Sequence, residues 1–264
     1  MIPAPALLFC PADRPERYAK AVAAADGVII DLEDAVAPAD KAAAREALIA
    51  SGLDPATTIV RVNPVETSEH PLDLDALGKT PYRTIMLAKS ESAEQLTGLA
   101  GFSIIALIET ARGVENVSEI ARHPTVTALM WGAEDLIASL GGRSSRFEDG
   151  TYRDVARLAR ARTLLAARAN GKHTIDSVHL DIADVEGLRA EARDGAASGF
   201  TATACIHPSQ VEIIRAEYTA TPEEITWAER VLDEATRQPG AFRYDGQMID
   251  EPVLRQARSI LASR

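Results

Sequence analysis

Cysteine is nearly missing from the chain. Only Cys10 and Cys205 occur in 264 residues, too few for a disulfide framework. Basic residues are outnumbered, with 28 Lys and Arg against 39 Asp and Glu, for a formal charge of −11. Such a chain repels a phosphate backbone overall, which argues against nucleic acid as a general partner. No run approaches the roughly 20 apolar residues that cross a bilayer, and no basic segment followed by an apolar stretch opens the chain. Neither a GxGxxG turn nor a P-loop occurs. The expectation is a cytoplasmic protein with reduced thiols and no membrane partner.

What is present is ordinary globular composition, 46% hydrophobic and 25% charged. Short apolar runs cover residues 6–10, 28–32, 58–62, 84–88, 103–108, 126–131, 175–180 and 201–206. Several are apolar without alternation, as in Gly27-Val28-Ile29-Ile30. That is the pattern of a strand buried on both faces, in a parallel sheet covered by helices. Between the runs, residues 14–25, 38–50, 114–123, 152–170 and 184–198 carry Ala, Leu, Arg and Glu at helical spacing. Asp184 reads as an N-cap, with Gly171 and Gly199 as stops. Residues 53–57 and 64–81 are rich in Pro and read as loops. Eight strands alternating with helices predict an α/β fold, a TIM (β/α)8 barrel over residues 1–216. An open doubly wound sheet is the alternative, without the Gly-rich turn that usually marks it. After residue 216 the pattern changes. Helices at 222–237 and 252–262 flank an irregular stretch at 239–250, and residues 217–264 form a C-terminal appendage.

Polar residues gather where the predicted strands end, the face on which this fold builds its sites. The second strand runs into Asp31-Leu32-Glu33-Asp34. The third carries Arg61 and Asn63, the fourth ends at Lys89, the fifth at Glu109, the sixth at Glu134-Asp135 and the eighth at His207. Neighbouring strands lie about 4.8 Å apart, so Glu109 and Asp135 are placed to share one cation. Two hard oxygen ligands without His or Cys suit Mg²⁺; the alternative is that both cap helices. A guanidinium inside Ile59-Val60-Arg61-Val62-Asn63 needs a partner. Arg61 is either an ion pair with Asp31 or Glu33, or a clamp for a carboxylate or oxyanion. Lys89 reads as a strand-end ion pair or a Schiff-base lysine. Arg14, Arg17 and Lys20 either meet phosphates or form a solvated helix face. His207, before Pro208, reads as a strand-end hydrogen-bonding residue.

Seven segments in order carry a family resemblance: Leu7-Leu8-Phe9-Cys10-Pro11-Ala12-Asp13-Arg14-Pro15-Glu16-Arg17, Asp31-Leu32-Glu33-Asp34-Ala35-Val36, Val60-Arg61-Val62-Asn63, Ile108-Glu109-Thr110-Ala111, Gly132-Ala133-Glu134-Asp135-Leu136, Ile206-His207-Pro208-Ser209-Gln210 and Gly246-Gln247-Met248-Ile249-Asp250-Glu251-Pro252. Over nearly its whole length the chain resembles the citrate lyase beta-subunit-like proteins, a group that includes malyl-CoA, β-methylmalyl-CoA and citramalyl-CoA lyases. Three positions depart from the family's pattern: Ala12 stands where Gly is usual, and Ala202-Thr203 where a Gly-Lys pair is usual. The resemblance implies a Mg²⁺-dependent carbon–carbon lyase that releases an acyl-CoA and a 2-oxo acid from a 3-hydroxyacyl-CoA thioester. It makes Glu109 and Asp135 the metal ligands and Arg61 the substrate clamp. Asp31 and Glu33 line the pocket, and Arg14, Arg17, Lys20 and His207 lie on the coenzyme A side. It also implies that Asp250 is the acid/base residue, donated by an adjacent subunit of a homotrimer or dimer of trimers. A citryl-thioester lyase subunit and a non-catalytic acid-binding barrel are the competing readings.

Overall fold

The structure is a computed structural model, which describes residues 2–238 and 240–262. The chain divides into two compact units, one ending at Ile214 and one beginning at Arg215. In the first, eight strands close a barrel: β1 (Ala6–Pro11), β2 (Gly27–Asp31), β3 (Thr58–Val62), β4 (Thr84–Leu87), β5 (Ser103–Ile108), β6 (Val126–Trp131), β7 (His173–Asp176) and β8 (Ala202–Cys205). Each pairs in parallel with the next, and β8 pairs with β1. The helices are α1 (Tyr18–Ala24), α2 (Lys41–Ala50), α3 (Glu69–Leu77), α4 (Ala111–Arg122), α5 (Ala133–Ser139), α6 (Asp154–Ala169), α7 (Val185–Ser198) and α8 (Val211–Tyr218). The boundary between the units falls inside α8. Among the described residues no helix is long and apolar enough to cross a membrane.

The continuous apolar runs have the expected cause. All five residues of β2 are buried, because its inner face fills the barrel and its outer face meets helices. Leu7, Ile29, Ile59, Met86, Ile105, Leu107, Met130 and Ile175 pack together as the interior plug. Asp184 accepts a hydrogen bond from the Gly187 N–H and starts α7; Gly199, at φ 99°, ends it in the left-handed conformation glycine favours.

Three sequence expectations require correction. Residues 64–81 are not all loop, since they contain α3. Pro71 sits in its first turn, where a missing N–H costs no intrahelical bond. The seventh strand covers His173–Asp176, not residues 175–180. It stops where Asp176 is held by Arg160 and the Trp131 indole, so the apolar Val178 and Leu180 line a cavity instead of continuing the sheet. The stretch expected to be irregular at 239–250 holds a hairpin, although Pro239 lies outside the described residues.

That hairpin belongs to the second unit. There α9 (Pro222–Arg237), β9 (Phe242–Tyr244), β10 (Gln247–Ile249) and α10 (Glu251–Ala262) surround a small core of Ala228, Val231, Phe242, Ile249, Leu254 and Ala257. Asp245 and Gly246 both have positive φ, 46° and 81°, the two-residue turn that fits the twist of a hairpin.

Ile105 is fully buried in the barrel plug. Ile105→Ala is expected to cost about 2–5 kcal/mol. The urea midpoint of the barrel transition shifts down accordingly; a loss below about 0.5 kcal/mol contradicts the packing described.

Candidate active site at the barrel mouth

Strand register builds the mouth. Asp31 and Arg61 are directly opposite on β2 and β3, so their side chains leave the sheet together. Arg61 Nε donates to Asp31 Oδ1 at 2.7 Å and Nη2 to Oδ2 at 2.5 Å, the fork geometry of a guanidinium on a carboxylate. Its Nη1 lies 3.1 Å from Glu33 Oε2, and its plane sits 4.9 Å from the centre of the Phe9 ring. Burial pulls the guanidinium towards losing its proton, but Asp31 and Glu33 outweigh this and hold it charged. The ion-pair alternative for Arg61 is therefore present. A guanidinium has five N–H donors; two go to Asp31 and a third faces Glu33, so the group retains capacity for a further acceptor.

Ile108 pairs with Trp131, which brings Glu109 beside Gly132. A Cβ at Gly132 would lie 2.7 Å from Glu109 Oε2 and 2.9 Å from its Cβ, so only glycine leaves room for this carboxylate. Glu109 does not cap a helix. Thr110 takes that role at α4, accepting from the Gly113 N–H. Glu109 is 3% exposed, and its Oε1 accepts the Lys89 backbone N–H at 3.0 Å. Burial, reinforced by the charge of Asp135, pushes its carboxyl up to about 8 against the pull of Arg61 and Lys89. Asp135 lies in the first turn of α5, past the end of β6, with no side-chain cap at Gly132.

Lys89 is the site residue whose weight the sequence underestimates. Its Nζ contacts Glu33 Oε1 at 2.5 Å, Asp34 Oδ2 at 3.3 Å and Asp135 Oδ1 at 3.3 Å. Its φ is +49°, a left-handed conformation that costs a non-glycine residue about 1–3 kcal/mol. Behind it, Lys41 Nζ donates to the Leu32 and Glu33 carbonyls and to Asn63 Oδ1. Asn63 in turn donates to Asp73, which Arg45 holds at 2.7 Å. Only the strand-end position of Lys89 and Asn63 hinted at these roles.

Arg61, Glu109 and Asp135 line a cavity of about 230 Å³ with Phe9, Leu107 and Met130. Next to it, sharing Phe9 and Ile206, lies a cleft of about 330 Å³ lined by Arg17, Lys20 and His207. His207 also caps the turn that follows it, accepting from the Ser209 N–H. Arg14 is exposed, 3.7 Å from Asp13. Asp250 belongs to the second unit, where its Oδ1 accepts from Val253 N at 3.4 Å at the start of α10. In a cavity of about 480 Å³, Arg160 is paired with both Asp176 and Asp194. Burial raises the Cys10 thiol to about 11, which leaves it inert near neutral pH.

The donor set of the mouth is all oxygen. A buried carboxylate that resists ionising beside a second carboxylate fits a hard divalent cation. Among the described residues no cluster of three or more Asp, Glu, His or Cys completes a cage, so such an ion would draw its other ligands from water or substrate.

The HpcH/HpaI aldolase/citrate lyase family model matches residues 6–208. The chain belongs to this family. Within it, the chain is 56% identical to a citrate lyase subunit beta-like protein of Mycobacterium tuberculosis, over 97% of this chain and 94% of that one. It is 36% identical to a (3S)-malyl-CoA thioesterase of Cereibacter sphaeroides, over 97% and 93%. The crystal structure of the protein CitE from M. tuberculosis in complex with magnesium, acetoacetate and coenzyme A superposes with a TM-score of 0.97 at 55% identity, covering 99% of this chain and 98% of that one.

Glu109 ionises above the ordinary glutamate value, so its charge opposes folding. Its proton stabilises the native state at low pH, and that contribution is lost as pH rises from about 4.5 through about 8. In EDTA, Glu109→Gln is expected to be more stable than the parent near pH 9 by on the order of 1–3 kcal/mol, with the difference gone near pH 4. Equal thermal midpoints near pH 9 contradict a desolvated Glu109.

Proposed function

We propose that the protein is a magnesium-dependent lyase or synthase acting on a 3-hydroxyacyl-CoA of the malyl, β-methylmalyl or citramalyl type. It releases an acyl-CoA and a 2-oxo acid such as glyoxylate or pyruvate. The observation that carries this reading is Glu109, buried beside Asp135 at the mouth with its carboxyl pushed up to about 8. The relative crystallised with magnesium, acetoacetate and coenzyme A has the same fold at high identity.

Glu109 and Asp135 would hold the ion, which when bound supplies Lewis-acid polarisation of the oxygen at the bond being cleaved. Arg61 supports negative charge as it develops in the pocket. A preorganised donor of this kind is worth about 2.7–4 kcal/mol. Asp31 and Glu33 keep the guanidinium charged and aimed. Cleavage turns the 3-hydroxyl into the carbonyl of the 2-oxo acid, its proton passing to water, and leaves an electron pair on the carbon alpha to the thioester; Asp250 protonates that carbon, and deprotonates it in condensation. In this reading Asp250 comes from a neighbouring copy in a homotrimer or dimer of trimers. Phe9, Leu107 and Met130 exclude water from the enolate. Arg17, Lys20 and His207 line the adjoining cleft, and in this reading they receive the coenzyme together with the exposed Arg14.

The cleft with its two basic side chains favours free coenzyme A over the carrier-bound thioester of a citryl lyase complex. The protein purified alone is expected to release glyoxylate or pyruvate from at least one of malyl-, β-methylmalyl- and citramalyl-CoA, with acyl-CoA as co-product, and to stop in EDTA. Oxaloacetate release from a carrier-protein citryl thioester alone contradicts the reading. So does free CoA without acyl-CoA, which marks hydrolysis.

Asp250→Asn is expected to lower kcat by about 10²–10⁴ with 2-oxo-acid binding changed less than threefold. Mixing subunits of Asp250→Asn and Arg61→Ala is expected to restore part of the activity, because one site in the mixture then has both residues. No recovery after verified subunit exchange contradicts an aspartate shared between copies.

A further inference from the structure

Lys89 addresses the mouth twice. Its backbone N–H is committed to Glu109 Oε1 at 3.0 Å, in a conformation with φ +49°. Its ammonium reaches Glu33, Asp34 and Asp135. One residue therefore fixes the first of the paired carboxylates through its main chain and neutralises the second through its side chain. An ammonium set among three carboxylates is placed as a counter-ion and not as an amine nucleophile. It is also movable. The side chain is 29% exposed and unbranched, and Asp135 is held at 3.3 Å, longer than the 2.5 Å contact to Glu33.

We propose that Lys89 is a positioning residue that sets the affinity of the mouth for its divalent ion, its ammonium standing beside Asp135 as a competing cation until magnesium displaces it. The inference rests on the reading of Glu109 and Asp135 as the metal pair. Two cations on one carboxylate repel each other, so the ammonium must yield Asp135 when the ion arrives. It keeps Glu33 and Asp34, and so remains neutralised beside the pocket. The backbone bond to Glu109 is untouched by this movement and holds the first ligand in place throughout. Lysine at this position thus limits the repulsion between Glu109 and Asp135 when no ion is bound, at the expense of affinity when one is.

The test is calorimetric titration of EDTA-treated protein with MgCl₂, paired with thermal midpoints with and without the ion. Lys89→Met is expected to bind Mg²⁺ at least tenfold more tightly than the parent. It is also expected to melt lower in EDTA and to regain more on adding Mg²⁺. Lys89→Arg, which retains a cation, is expected to stay within threefold of the parent. Lys89→Gly removes the ammonium while adopting the left-handed backbone without strain, and carries the same comparison if the methionine variant does not fold. A dissociation constant unchanged or weakened in both neutral variants overturns the proposal while the metal pair stands. A parent protein that binds no Mg²⁺ overturns the metal pair, and the proposal with it.

Discussion

The mouth of this barrel depends on a carboxylate placed where its charge is unwelcome. Glu109 is buried at the end of β5, beside a second acid, and among the described residues its hydrogen-bond donor is the Lys89 backbone N–H. Much around it serves to tolerate that charge or to aim it. Gly132 gives up its side chain so that the carboxylate fits. Lys89 accepts a left-handed backbone to supply the N–H. Arg61 and Lys89 bring positive charge close without taking either of the paired acids fully. A group that costs stability when left ionised gains from any cation that reaches it, and this links the energetics of the fold to the chemistry of the site.

The barrel turns local patterning into that arrangement. Parallel register sets Asp31 against Arg61 and Ile108 against Trp131, so charged tips from different strands converge above an apolar plug. The plug holds the strand ends rigidly, and the strand ends hold the guanidinium and the carboxylates. Behind them, Lys41, Asn63, Asp73 and Arg45 form a chain of hydrogen bonds that ties the Leu32–Glu33 turn to α3. Preorganisation of this kind makes a charged pocket useful, because the side chains need not reorganise as charge moves in the substrate.

Most of the barrel was legible in the sequence because its strands are short, apolar on both faces and spaced by helical stretches. Seven of the eight expected runs overlie their strands to within one residue at each end. The seventh slipped because Val178 and Leu180 are apolar for the cavity and not for the sheet. Helix α3 was hidden by Pro71, which reads as a breaker anywhere except a first turn. The convergence of Arg61, Glu109 and Asp135 could be expected from strand-end position alone. The part played by Lys89 could not, since a positive φ and a three-carboxylate environment arise only from tertiary structure. Nor could the Lys41–Asn63–Asp73 relay, whose members are far apart in the chain. Asp250 was singled out only by family resemblance; within one chain its carboxylate simply starts α10.

Binding of Mn²⁺, followed by the loss of its free electron paramagnetic resonance signal, tests the central claim most directly. The account predicts one ion per chain, competed by Mg²⁺ and lost in Glu109→Gln, with a bound signal that changes when pyruvate or glyoxylate is added. Absence of binding, or binding indifferent to Glu109, contradicts it.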